Sequence, residues 1–209
     1  MAAITRRGVV GWCSAALAFA LLGACGNPAY TSVTQIWRAP IDVAPMGRVI
    51  VFGAHMDEAS RRALEDSYVA VLAQHGVEAR PSYSFFPGEP PPPAEARAAV
   101  KKAGFHAILV STLRRVSERQ TYAPGTSGAG FWSYYGTGWG YYGSPGYWIT
   151  DEIVSFDTTV WDARAGDELT FALTTETTNP SAGQDFVDSL TGAVIVALEK
   201  QRLVPRKER

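Results

Sequence analysis

Apolar residues recur at regular intervals along the chain, and these intervals predict where strands and helices form. Residues 48–53 contain a short apolar run, which is typical of a strand buried in a sheet. Between residues 57 and 75, Leu64 and Tyr68 begin an apolar stripe at helical spacing, so we expect an amphipathic helix there. Gly76 follows and is placed to end that helix in the left-handed conformation.

The same kind of pattern predicts four more strands and two more helices. The strands are expected at 77–86, 106–113, 154–160 and 169–173. The helices are expected at 94–103 and from 181 to about 200. The second of these helices begins at Ser181, whose spacing to Gln184 resembles a capping box. Strands and helices alternate in the first half of the chain, and two strands and a helix follow a long loop. This order predicts an α/β fold, a single layered domain over residues 48–203 with a mixed sheet of about five strands.

The amino-terminal residues have the layout of an export signal. Arg6 and Arg7 precede an apolar run, so residues 1–24 are expected to be a signal peptide. Leu22-Gly23-Ala24-Cys25 resembles the lipobox of bacterial lipoproteins. The resemblance implies that Cys25 carries diacylglycerol and anchors the chain in a membrane. Residues 25–47 are rich in proline and are expected to form a tether, and residues 204–209 a tail.

Composition and charge narrow the classes of function. The chain has 209 residues and a formal net charge of −1. It therefore lacks the excess of positive charge that is typical of nucleic-acid-binding proteins. Cys13 lies in the predicted signal peptide and Cys25 is the predicted acylation site. The mature chain would then have no free thiol, which excludes disulfides, thiol catalysis and zinc sites built from cysteine.

A family resemblance adds to this interpretation. Together with the leader and the order of elements, residues 77–83 and 174–180 resemble an uncharacterised family of proteobacterial lipoproteins. In architecture, the chain is similar to the amino-terminal domain of TolB and to CsgG- and LpoB-type envelope lipoproteins. The resemblance implies an accessory role at the cell envelope rather than catalysis, and it assigns no site residue. By resemblance to enterobacterial lipoproteins, the lack of Asp after Cys25 favours the outer membrane, with the domain facing the periplasm.

An aromatic and glycine-rich loop is the main candidate for chemistry. From Gln120 to Thr150 there is no charged side chain, and the stretch from Tyr122 to Trp148 contains ten aromatic residues and eight glycines. The candidate binding residues are Trp132, Tyr134, Tyr135, Trp139, Tyr141, Tyr142, Tyr147 and Trp148. These rings either form a contact surface for an envelope protein, a glycan or the membrane interface, or cover the domain's own sheet.

Candidate metal ligands and catalytic groups are few. His55 lies near Asp57 and Glu58, but a helix start already explains both carboxylates. We therefore predict neither a metal nor a cofactor.

Carboxylates beside the loop raise the possibility of carbohydrate cleavage. Asp151 and Glu152 are adjacent in a predicted strand, so they point to opposite faces and cannot form one acid/base pair. Asp157 or Glu176 is a possible second carboxylate, although no spacing selects either. We therefore predict an accessory or interaction role for a membrane-anchored envelope lipoprotein. The alternative is a periplasmic enzyme that acts on cell-wall carbohydrate.

Overall fold

Six strands form one mixed sheet in the computed structural model, which describes residues 30–41, 43–88, 91–123, 147–164, 166–180 and 183–206. The strands are β1 (Tyr30–Arg38), β2 (Arg48–Ala54), β3 (Glu78–Pro81), β4 (Ala107–Ala123), β5 (Tyr147–Asp162) and β6 (Glu168–Thr178). The helices are α1 (Glu58–Gln74), α2 (Ser82–Phe85), α3 (Pro93–Lys102) and α4 (Gln184–Lys200). Within these described residues, no helix is long and apolar enough to span a bilayer.

The sheet combines a parallel and an antiparallel half. Its strand order is β1-β6-β5-β4-β2-β3. β2 runs parallel to β3 and β4, whereas β4, β5, β6 and β1 pair in antiparallel fashion. The predicted α/β class with a mixed sheet is confirmed, with six strands rather than about five.

The additional strand lies in the segment predicted to be a tether. β1 pairs with β6, from Tyr30 opposite Thr178 to Arg38 opposite Phe171. In the segment that follows, Val43 and Met46 are buried in the main core. The predicted tether at 25–47 is therefore wrong from residue 30 onward, because strand pairing and core burial hold these residues in the domain.

The predicted tail also begins too early. Val204 is only 2% exposed and belongs to the main core together with Leu203. Its apolar side chain gains from burial, which keeps the chain against the domain past residue 203.

Helices cover the two faces of the sheet unequally. Helices α1 and α4 pack on one face over the main core, which includes Tyr68, Leu109 and Phe171. A smaller cluster of Ile50, Val100 and Phe105 lies on the opposite face, beside α2 and α3. Because the smaller helices do not extend over β5 and β6, that face of the antiparallel half carries polar side chains, as one-sided antiparallel sheets commonly do.

Local signals place α1 correctly and β3 only in part. The Asp57 carboxylate accepts hydrogen bonds from the backbone N–H groups of Ala59 and Ser60, both at 3.0 Å, and so caps α1. Gly76 has a φ of 73° just after the helix, as predicted. The strand predicted at 77–86 ends at Pro81, because the chain then turns into α2.

The last helix starts later than the capping-box spacing predicts. Its cap is Gly183, which makes no side-chain hydrogen bond, and the predicted start at Ser181 lies outside the described residues. The Gln184 side chain donates instead to Asp188, at 2.7 Å.

Candidate functional site

Strands β4 and β5 form a hairpin that projects beyond the rest of the sheet. They pair as far as Ala123 opposite Tyr147, whereas β2 accompanies β4 only to Thr112 and β6 accompanies β5 only to Ile153. The six residue pairs formed by 118–123 and 147–152 therefore have no neighbouring strand in the described part of the chain. We call these residues the projecting arm; six pairs span about 20 Å.

The projecting arm carries exposed aromatic rings near its end. Tyr122 lies opposite Trp148, and their ring centroids are 5.1 Å apart at an interplanar angle of 55°. Their exposed fractions are 50% and 66%, and Tyr147 is 62% exposed. A two-stranded ribbon is only marginally stable in water, so this cross-strand ring pair helps to keep the arm extended.

The structure places two of the eight predicted binding residues, Tyr147 and Trp148, on the projecting arm. The other six lie outside the described residues: Trp132, Tyr134, Tyr135, Trp139, Tyr141 and Tyr142. The loop predicted at 120–150 is shorter at both ends, because the strands extend to Ala123 and resume at Tyr147.

Asn179 anchors the base of the arm. Its amide Nδ2 donates to the Asp151 carboxylate at 2.6 Å, and its Oδ1 accepts the backbone N–H of Glu152 at 2.9 Å. With a φ of 47°, it turns the chain away directly after β6. Sequence reasoning missed this residue, although the Asn-Pro pair at 179–180 is a recognised turn signal.

The carboxylates considered for catalysis are engaged in polar contacts. Asp157 accepts a hydrogen bond from the Thr174 hydroxyl at 2.7 Å and pairs with Arg114 at 3.3 Å. Glu176 lies 3.5 Å from the guanidinium of Arg119. These contacts are typical of a solvated sheet face. Asp157 also lines a shallow depression of about 560 Å³ on this face, together with Trp37.

The two carboxylates near the end of β2 accept hydrogen bonds from residues of α1. Hydrogen bonds from Ser60, first from its hydroxyl and then from its backbone, hold the pKa of Asp57 below its ordinary value. Hydrogen bonds from Arg62 and Arg61 lower the pKa of Glu58 in the same way. Throughout the described ranges, no group of three or more His, Cys, Asp or Glu side chains could hold a metal ion.

A second feature, an apolar groove, opens between α1 and α4. The amino-terminal halves of the two helices form its walls, and β4 and β5 form its floor. Its volume is about 530 Å³, within the range of small-molecule sites. We define the apolar groove by its lining residues, which are Met56, Asp57, Ala59, Ser60, Ala63, Leu64, Leu113, Val116, Val154, Phe156, Gly183, Gln184, Phe186, Val187 and Leu190.

Sequence reasoning did not identify the apolar groove. Leu64 and Leu190 have the spacing of ordinary core positions, and both are buried. What makes them line a groove is the space left between two helices distant in sequence. No local pattern encodes that separation.

Comparisons with known proteins give structural similarity at low sequence identity. No family model matches the chain, and no curated protein matches it. It is similar to a PelC dodecamer from Paraburkholderia phytofirmans, with 13% identity over 84% of this chain and 99% of that chain and a TM-score of 0.46. It is also similar to lipoprotein GNA1162 from Neisseria meningitidis, with 16% identity over 74% and 96% and a TM-score of 0.39.

TolB, one of the proteins that the sequence resembles in architecture, is also among the similar structures. TolB from Acinetobacter baumannii is 12% identical over 82% of this chain and 31% of that chain, with a TM-score of 0.33. The similarity to known lipoprotein and TolB structures concerns the course of the backbone alone.

Proposed function

We propose that this protein is a bacterial envelope lipoprotein, anchored through lipid on Cys25, that has an accessory role through contacts with another envelope protein. The projecting arm is the observation that carries the proposal. Tyr147 and Trp148 are exposed to solvent there, at the carboxyl-terminal end of the uncharged loop between β4 and β5. The lipobox resemblance supports the anchor, and the lack of Asp after Cys25 favours the outer membrane.

Physical chemistry supports a contact role for the arm. An aromatic side chain buries 150–250 Å² when it is covered, so exposed rings retain a large apolar area in water. Contiguous exposed apolar surface marks interaction sites, and Trp and Tyr are enriched among the residues that dominate binding energy. On the arm, Tyr122, Tyr147 and Trp148 combine these properties.

The test is crosslinking in intact cells with the variant Trp148→Ala. Removal of a dominant interface ring costs about 2 kcal/mol or more of binding energy, so we expect the crosslinked partner band to fall by about tenfold or more. Val196→Ala is the control, since Val196 is 48% exposed in the carboxyl-terminal half of α4, away from the arm. An unchanged band in Trp148→Ala would contradict the proposed contact surface.

The second candidate is an enzyme that acts on cell-wall carbohydrate. Trp37 and Asp157 favour it, because both line one depression. An aromatic ring beside a carboxylate is an arrangement that suits a sugar ring. We place it second because Arg114 and Thr174 already engage that carboxylate. Release of soluble fragments from purified peptidoglycan, abolished in Asp157→Asn, would support it over the accessory role.

A further inference from the structure

We propose that the apolar groove between α1 and α4 holds one acyl chain of the protein's own lipid on Cys25. The inference rests on the lipidation proposed above. The inference adds a binding site within the domain for part of the anchor. One acyl chain would leave the bilayer and occupy the groove, which would draw the domain toward the membrane.

The chemistry of the apolar groove matches an aliphatic occupant. Its deep residues include Leu64, Val154 and Leu190, which offer no hydrogen-bonding side chain. Phe156 and Phe186 add rings whose centroids are 6.0 Å apart. A hydrocarbon chain gains from such surroundings, whereas a polar ligand loses hydrogen bonds to water there.

Polar side chains at the rim already have partners within the protein. The Ser60 hydroxyl donates to the Asp57 carboxylate at 2.6 Å. At the other wall, Gln184 donates to Asp188 at 2.7 Å. Internal pairing of these rim groups favours an apolar ligand over one recognised by hydrogen bonds.

The start of the described chain lies within reach of the groove. Tyr30 is opposite Thr178, and Thr178 is opposite Ile153, which adjoins the groove residue Val154. Neighbouring strands are about 4.8 Å apart, which places the backbone of Tyr30 about 10 Å from the edge of the groove floor.

Helix α4 lies between the start of β1 and the groove. The backbone N–H of Thr31 donates to the Ser189 hydroxyl at 3.1 Å on one side of this helix, whereas Leu190, the next residue, lines the groove on the other side. The lipid would therefore pass the amino-terminal end of α4 to reach the groove.

The linker to the lipid is long enough for this path. Cys25 precedes Tyr30 by five residues. Five extended residues span up to about 17 Å, and the acyl chain adds its own length. Moving that chain from bilayer to groove exchanges one apolar environment for another, so it avoids the cost of exposing hydrocarbon to water.

The experiment uses the full chain in growing cells fed palmitic acid that bears a diazirine. Ultraviolet light joins the modified acyl chain to whatever it contacts, and mass spectrometry of peptides identifies the product. We expect the lipid-bearing Cys25 peptide to be covalently joined to peptides from residues 58–64 or 184–190. Groove peptides joined only to phospholipid, to another protein or to nothing would overturn the proposal.

Groove-filling variants provide the controls. Ala63→Trp places a large ring in the apolar groove, and we expect it to lower the joined product by about tenfold or more. Ala70→Trp adds the same ring at an exposed position of the same helix and should leave the product unchanged. Val187→Trp repeats the block from α4, and thermal melts verify that each variant folds.

The outcomes separate this inference from the proposed function. A Cys25 peptide that carries no lipid would contradict the lipoprotein assignment itself. A lipid-bearing Cys25 peptide that is never joined to the groove would overturn the internal site and leave the lipoprotein assignment intact.

Discussion

Removing the carboxylate of Glu65 should strongly destabilise the fold. Glu65 lies on α1 with 0% exposure, a rare position for a charged side chain. Its Oε1 accepts the backbone N–H of Gly53 at 2.9 Å and the Ser82 hydroxyl at 2.7 Å, and its Oε2 accepts the N–H of Tyr83 at 3.3 Å. One side chain thus joins β2, α1 and the start of α2.

The expected magnitude follows from these contacts. Glu65→Ala leaves two backbone donors and one hydroxyl without their acceptor, and it removes the carboxylate 3.9 Å from the Arg61 guanidinium. Breaking a buried charged cluster of this kind costs about 3–5 kcal/mol. For a domain of this size, each kcal/mol lowers the midpoint of thermal unfolding by about 2–4 °C, so we expect a decrease of about 10 °C.

Urea unfolding followed by circular dichroism measures the effect. Glu65→Gln keeps one acceptor oxygen at nearly the same volume and should fall between the wild type and Glu65→Ala. Glu168→Ala, which removes an exposed carboxylate at the start of β6, should stay within about 0.5 kcal/mol of the wild type. A cost below about 1 kcal/mol for Glu65→Ala would show that the Glu65 carboxylate does not hold these three elements together, because a typical single hydrogen bond already contributes that much.

Three further predictions concern the core, the anchor and the loop. Burial raises the pKa of Tyr68, so above about pH 10 the unfolded chain loses a proton that the folded chain retains. The free energy of unfolding should therefore fall as the pH rises from about 10. In Tyr68→Phe the midpoint of urea unfolding should decrease less over the same pH range than in the wild type. Cys25→Ala should leave a soluble or unprocessed form, and unchanged lipid labelling of that variant in membrane fractions would contradict the acylation site. If the loop is a contact surface, replacing Trp132, Trp139, Tyr141 and Tyr142 together by alanine should barely change the free energy of unfolding. A loss of several kcal/mol in that free energy would instead show that these rings cover the domain.

Local signals account for the parts of the fold that the sequence predicted well. Helix α1 has a side-chain cap at Asp57, an apolar stripe that includes Leu64 and Tyr68, and a glycine at its end. Each of these features acts within a few residues, so each is visible in the sequence. β2 is predicted for a similar reason, because Val49 and its neighbours form a fully apolar run.

Features that depend on distant partners were missed. β1 is rich in threonine and other polar residues, and its position as a strand comes from pairing with β6, more than 130 residues later. β3 ends early partly because Ser82 donates to the buried Glu65, which is a tertiary contact. The apolar groove likewise depends on the spacing of two helices, so the sequence showed its residues only as core positions.

The projecting arm extends from one particular edge of the sheet. At this edge β1 begins and the parallel strand β2 ends. The apolar groove opens at the same edge, since Val116 and Val154 lie just before the arm on its two strands. A lipid on Cys25 would therefore place the groove and the base of the arm close to the bilayer.

That placement restricts the partner proposed for the arm. The projecting arm extends from the edge of the sheet at which β1 begins, so it would point toward the bilayer rather than into the periplasm. It carries Tyr147 and Trp148, and Tyr and Trp are favoured at the membrane interface because one part of each ring is apolar and another is polar. The partner is accordingly expected to present its binding surface next to the membrane rather than deep in the periplasm.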